Sequence, residues 1–83
     1  MNALTLEIYL PAALRSYEVR VPRQMRIAQL TPLVSRALSQ LSGGLYADGQ
    51  PALLCLRDSG EILHTGMTPE ELGLRNGARL MLI

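Results

Sequence analysis

The feature that most constrains the fold is the hydrophobic period of the first half of the chain. Residues 4–10 alternate strictly between apolar and other side chains, which predicts a half-buried strand. Residues 17–21 alternate in the same way, and Pro22 ends that segment. The two segments predict a hairpin. Its inward side chains are Leu4, Leu6, Ile8 and Leu10 in the first strand and Tyr17, Val19 and Val21 in the second.

From residue 27 the apolar period becomes that of a helix. Apolar residues three or four positions apart define one stripe of a single long helix. Pro32 leaves its start open between Ile27 and Thr31, because Thr31 could cap a helix whose first residue is a proline. Glycines 43 and 44 after Ser42 predict its end. The stripe comprises Ile27, Leu30, Val34, Leu38 and Leu41.

The second half of the chain reads as short elements separated by turns. A loop at 48–51 precedes a strand at 53–56, a turn at 58–60 and a short return strand at 61–63. Thr68, Pro69 and Glu71 form a capping-box pattern, which predicts one helical turn at 68–72. An Asn76-Gly77 turn then leads into a last strand at 78–83.

Composition excludes several classes of function. We expect one domain spanning residues 1–83, with 48% apolar and 18% charged residues. The net charge of +1 comes from scattered arginines without any lysine, and no Trp or Phe could stack on bases, so we do not expect nucleic-acid binding. Because no signal peptide, membrane-spanning stretch or second cysteine is apparent, we expect a cytoplasmic protein that does not insert into membranes.

No group of residues predicts catalysis, a metal or a cofactor. Cys55 and His64 could face each other as nucleophile and base, but nothing suggests the orienting carboxylate or oxyanion pocket that such a pair needs. One His and one Cys do not make a zinc site. Gly43-Gly44 lacks the lysine of a phosphate loop. We therefore expect a protein that is not an enzyme and has no catalytic, metal or cofactor-binding residues.

The predicted elements follow the order of the β-grasp fold of ubiquitin, which they resemble. Two strands come first, then a long helix, then further strands, with a short helical turn before the last strand. The resemblance covers residues 21–38 and 65–74. It implies an α+β protein with a mixed sheet of four to five strands, one long helix packed across the sheet, and a short 3-10 or helical turn.

More specifically, residues 17–22, the apolar positions of the helix including Leu33, and the ending at 74–82 resemble the YukD/EsaB group of bacterial ubiquitin-like proteins. This resemblance implies a cytoplasmic accessory component of a type VII (ESX/WXG100) secretion system that binds other proteins of that machinery. A similar domain forms the cytosolic N-terminus of a membrane component of these systems, so the chain could also be a domain of such a protein.

The outward face of the last strands is the predicted protein-interaction surface. If Leu80, Leu82, Leu54 and Leu56 point to the core, their neighbours form an exposed apolar patch. A shift of one residue in register would exchange the faces, and this patch or a free sheet edge could also support a homodimer. The predicted patch is Leu53, Cys55, Met81 and Ile83, with a rim of Arg79, Arg57, Glu7 and Tyr9.

A ubiquitin-like modifier or sulfur carrier is the competing class of function. Such proteins need a slim Gly-Gly tail that an adenylating enzyme can thread. The sequence instead reaches Ile83 within the predicted last strand and has no lysine for side-chain conjugation. We therefore expect an interaction module rather than a conjugated modifier.

Overall fold

The computed structural model describes residues 3–46 and 51–83. Strands β1 (Ala3–Leu10) and β2 (Arg15–Pro22) form a hairpin around a single 3-10 turn at Pro11–Ala13. Helix α1 (Ile27–Leu41) follows, and the short strands β3 (Leu54–Leu56) and β4 (Ala78–Leu82) complete the sheet. The strand order is β2-β1-β4-β3. Only the β1–β4 pair is parallel, so the sheet is mixed, as predicted.

The core lies between α1 and one face of this sheet. The buried residues are Leu4, Leu6, Ile8 and Leu10 of β1, Val21 of β2, Leu54 of β3, and Leu80 and Leu82 of β4. Tyr17 and Val19 are half-buried and pack against this cluster. The predicted inward faces of all four strands are therefore confirmed. The face of the sheet away from α1 is called the outer face below.

Helix α1 begins at Ile27, the earlier of the two predicted starts, although Arg26 provides no side-chain cap. The first amides of a helix need acceptors from outside it. Here the Ile27 amide donates to the Met67 carbonyl at 2.9 Å, and the Ala28 amide donates to the Thr65 carbonyl at 3.0 Å. Pro32 lies inside the helix. Backbone carbonyls from a distant turn thus take the place of a capping residue.

The helix ends where the glycines predicted it, but its last turn differs from the predicted stripe. Gly43 and Gly44 have φ angles of 65° and 88°, a left-handed conformation that glycine adopts without strain. Leu41 is 56% exposed, so its assignment to the core stripe was wrong. Ser42, one residue later, is buried instead, and its hydroxyl donates to the Ser39 carbonyl at 3.2 Å. Leu41 is the last residue of α1, so its exposure reflects its place at the end of the helix and not a break in the helical spacing.

The return strand predicted at 61–63 is not a strand. The segment forms one isolated bridge, in which Ile62 lies opposite Cys55. The Leu63 amide donates to the Leu54 carbonyl at 3.0 Å, and Leu63 is buried. The segment then leaves the sheet, and the carbonyls of Thr65 and Met67 just beyond it accept the first amides of α1. The need to reach α1 limits the pairing with β3.

The helical turn predicted before the last strand is present as hydrogen-bonded turns. The Leu72 amide donates to the Thr68 carbonyl at 3.0 Å, and Thr68 and Glu71 form the reciprocal bonds of a capping box at 2.9 and 3.1 Å. Gly77 has a φ of 86°, and its amide donates to the Thr5 carbonyl at 2.8 Å. This turn places β4 beside β1.

Among the described residues no helix combines the length and hydropathy needed to cross a bilayer. The predicted loop at 48–51 falls outside the described residues at positions 48–50.

Candidate protein-interaction surface

The strand register places the predicted surface residues together on the outer face. Tyr9 lies opposite Met81, and Glu7 lies opposite Arg79, along the parallel β1–β4 pair. Met81 in turn lies opposite Cys55 along the antiparallel β3–β4 pair. Leu53 and Ile83 exchange two backbone hydrogen bonds of 2.9 Å and continue this pair by one position.

The apolar part of the outer face is larger than predicted. Ile62 lies opposite Cys55 on the far side of β3 and is 53% exposed, similar to Ile83 at 51% and Leu53 at 42%. Sequence reasoning missed Ile62, although the burial expected of Leu63 implies that its neighbour points outward. We call this surface the outer patch. It comprises Leu53, Ile62, Met81 and Ile83.

Cys55 shares this face but is fully buried, so its predicted exposure was wrong. The Leu56 and Leu63 amides donate to the Glu61 and Leu54 carbonyls, so Cys55 and Ile62 are a non-hydrogen-bonded pair. Side chains approach closely in such pairs, and the longer neighbours cover the short thiol. The Cys55 Sγ also donates to the Met81 carbonyl at 3.5 Å. Burial raises the pKa of this thiol.

Next to the outer patch lies a charged group that we call the arginine cluster: Glu7, Tyr9, Arg57 and Arg79. Glu7 Oε2 lies 3.4 Å from Arg79 Nε and 3.8 Å from Arg57 Nη1. The Arg57 guanidinium lies 4.4 Å from the centre of the Tyr9 ring, within cation–π range. Exposed ion pairs of this kind add little stability. They place two guanidinium groups beside the outer patch.

Cys55 and His64 are each hydrogen-bonded elsewhere. His64 is exposed, and its Nδ1 accepts the Gly66 amide at 3.1 Å at the turn that follows Leu63. The Cys55 Sγ is directed at a carbonyl of the neighbouring strand. Across residues 3–46 and 51–83, no three His, Cys, Asp or Glu side chains are grouped so that they could hold a metal ion.

A cavity of about 620 Å³ lies on the other side of β3, between that strand and the first turns of α1. Its walls are mostly apolar and include Ile27, Pro32, Leu54 and Leu63. Arg36 also lines the cavity. Leu53 and Ile62 contribute to both this cavity and the outer patch. These two side chains therefore form the ridge between the two surfaces.

Known proteins resemble this chain at the level of both sequence family and fold. The family model described as "WXG100 protein secretion system (Wss), protein YukD" matches residues 4–82. No curated protein matches the sequence. The ubiquitin-like domain of the Mycobacterium tuberculosis type VII secretion protein ECCD1 has a TM-score of 0.78 at 14% identity, with 100% of this chain and 99% of that chain covered.

Two further structures delimit what the fold alone can say. The EccD5 ubiquitin-like domain from Mycobacterium xenopi has a TM-score of 0.72 at 22% identity, covering 100% of this chain and 94% of that one. A chain of a toluene 4-monooxygenase HD complex has a TM-score of 0.77 at 15% identity, covering 96% and 95%. Identities this low establish a shared β-grasp fold and no shared activity. The match over residues 4–82 is what decides the family: the chain belongs to the YukD family of WXG100 (type VII) secretion-system proteins.

Proposed function

We propose that this chain is a non-catalytic, cytoplasmic accessory module that binds another protein component of a type VII secretion system through the outer patch and the arginine cluster. The observation that carries the proposal is that three large aliphatic side chains on the outer face of the sheet are exposed. They are Leu53, Ile62 and Ile83. Grouped apolar side chains with a charged rim are typical of protein contact sites.

The arginine cluster supports specificity for the partner. Arg57 and Arg79 share the Glu7 carboxylate, and Arg79 also lies 3.9 Å from the exposed Asp58, so these pairs are open to solvent and to exchange with a partner's carboxylate. Arginines beside an apolar patch favour a partner that offers a carboxylate next to apolar side chains.

The test is co-purification from the source organism with matched surface variants. Ile62→Glu with Ile83→Glu introduces charges at exposed positions of the outer patch and should abolish recovery of secretion-system components. Leu14→Glu with Leu45→Glu makes the same chemical change at side chains that are 81% and 67% exposed elsewhere. That control should recover the components as well as the wild type does.

Met81→Glu with Ile83→Glu tests the assignment of faces within β4 as well as binding. Met81 is half-buried on the outer face, whereas Leu80 is fully buried, so this variant should keep the fold and lose the partner. Recovery of the same components with both patch variants would contradict the proposal. Loss of recovery with the Leu14 and Leu45 control would contradict it as well.

The second candidate is that the chain is the ubiquitin-like domain of a larger membrane component. It is favoured by the structural similarity to the ECCD1 and EccD5 ubiquitin-like domains. This chain covers nearly the full length of both domains. Reading the gene beyond codon 83 tests it, because an open reading frame with membrane spans supports this candidate and a stop codon removes it. A modifier or sulfur carrier would likewise need residues after Ile83, and the intact mass of the native protein would reveal them.

A further inference from the structure

Among the residues that the structure describes, no strand pairs with the outer side of β2, which is an edge of the sheet at the opposite end from β3. Thr5 shows which backbone groups of β2 face away from β1. The Thr5 amide and carbonyl are bonded to Asn76 and Gly77 at 2.8 Å each, so Thr5 and its partner Arg20 do not bond to each other. Because bonded and non-bonded pairs alternate along an antiparallel ladder, three β2 residues direct their amides and carbonyls outward. They are Ser16, Glu18 and Arg20.

This edge lacks two of the features by which proteins prevent pairing with another strand, namely a β-bulge and a proline within the strand. All eight residues of β2 pair in continuous register with β1, so no bulge twists the edge away. The only proline is Pro22, the last residue of the strand. On the core side of β2, Tyr17, Val19 and Val21 pack in or against the hydrophobic core. The edge is therefore competent to accept an antiparallel strand.

The flank of α1 above this edge is apolar as well. Leu33, Ala37 and Leu41 recur every four residues and so share one side of the helix. They lie away from the cavity on the β3 side, and β2 is the strand that α1 approaches most closely. Leu33 is 50% exposed and Leu41 56%. A partner that pairs with β2 and carries its own helix would cover both leucines.

Charges on the outer face of β2 distinguish between partners. Glu18 lies opposite Glu7 in the sheet. The Glu7 carboxylate is already shared by Arg57 and Arg79. Within residues 3–46 and 51–83, neither Glu18 nor Arg20 forms an ion pair. The two residues stand two positions apart on the same face. A strand with the same charge pattern running the opposite way would therefore satisfy both.

We propose that the chain forms a symmetric homodimer by antiparallel pairing of its two β2 strands, with Val19 on the two-fold axis. In this register Glu18 of each copy lies opposite Arg20 of the second copy, and both residues contribute outward ladder groups. Shifting the axis to Glu18 would oppose two carboxylates, and shifting it to Tyr17 would pair Glu18 with uncharged Ser16. The outer patches lie near the far edges of the joined sheet and stay free, so this proposal does not depend on the proposed function.

The test is sedimentation equilibrium of the full chain over concentrations from micromolar to millimolar. The wild type should dimerise, and Glu18→Arg or Arg20→Glu should each raise the dimer dissociation constant by roughly tenfold or more, because two cross-strand pairs become repulsive. An equimolar mixture of the two variants should recover the dimer, since every Glu–Arg contact is restored between unlike chains. The loss with each single variant is what is specific to the register with Val19 on the axis, because only this register places Glu18 opposite Arg20.

Two exposed positions outside β2 supply matched controls. Glu61→Arg and Arg75→Glu make the same changes of charge and should dimerise like the wild type. Circular dichroism should show that all variants are folded. A wild type that stays monomeric at millimolar concentration overturns the proposal, as does a mixture of the two β2 variants that stays monomeric. Ile62→Glu with Ile83→Glu should dimerise normally, which separates this proposal from the proposed function.

Discussion

At the scale of single residues, Cys55 combines an outward position with complete burial. It lies on the outer face, yet its side chain is covered between Met81 and Ile62. Burial disfavours the thiolate and raises the pKa of the thiol above its ordinary value of 9.0. Because the thiolate is the reactive form, both access and ionisation work against modification of Cys55.

We therefore expect Cys55 to react slowly with a thiol reagent such as dithiobis(nitrobenzoate) in the folded protein at pH 8. In strong denaturant the same residue should react at the rate of a free cysteine. Absorbance of the released thiolate measures both rates. Rapid, stoichiometric labelling of the folded chain would contradict the burial of this side chain.

The raised pKa also predicts the direction of a pH effect. Since the folded state holds the Cys55 proton more tightly than the unfolded state, the associated stability is present below the unfolded pKa of 9.0 and is lost as the pH rises above it. Cys55→Ser keeps the size of the side chain but removes this titration. The free energy of unfolding of the wild type, relative to Cys55→Ser, should fall between neutral pH and pH values above 9.0 in urea titrations. An unchanged difference would contradict the prediction.

At the scale of elements, α1 shows what local sequence determines and what it does not. Four buried positions of its stripe were predicted from their spacing, because the helical period fixes one face. The choice of Ile27 over Thr31 as the start could not be predicted, since the acceptors for the first amides belong to Thr65 and Met67. Leu41 was misassigned because helical spacing alone does not show that the buried stripe ends before the last residue of the helix.

Pro32 destabilises helix α1 from within. Proline lacks the N–H that would donate to the Ala28 carbonyl, and its ring crowds the preceding turn. Pro32→Ala should therefore raise the free energy of unfolding by roughly 1–3 kcal/mol. Pro11→Ala is the matched control, because Pro11 begins the 3-10 turn, where no N–H is needed, and its effect should stay within about 1 kcal/mol. Urea unfolding measures both, and a destabilised Pro32→Ala variant would contradict the expectation.

At the scale of the whole molecule, the two faces of the sheet have different roles, and adjacent residues of β4 separate them. Leu80 is fully buried, so Leu80→Ala should cost about 2–5 kcal/mol of stability. Met81 lies on the outer face and is half-buried, so Met81→Ala should cost less than about 1.5 kcal/mol. Chemical denaturation of the two variants measures this difference. Equal costs would mean that the faces of β4 are not distinct.

Alternation within single strands predicted these faces, and with them the positions of Leu53, Met81 and Ile83. The burial of Cys55 and the contribution of Ile62 depend on a third segment that bridges β3 from its other side. Short apolar runs do not encode that pairing, because it depends on where Thr65 and Met67 meet the start of α1. The residues of the surface were therefore largely predictable, and its exact boundary was not.

The parallel pairing of β1 with β4 has a consequence for synthesis of the chain on the ribosome. Ile8 and its neighbour Leu80 are separated by nearly the whole sequence. At about 5–20 residues per second, the nascent chain carries an apolar strand with one uncovered side for several seconds before its second neighbour is translated. The β1–β2 hairpin can form during that interval, but the sheet cannot close. Cotranslational chaperones therefore have a defined window in which to bind β1, and premature termination before β4 should yield a product that aggregates rather than a smaller folded protein.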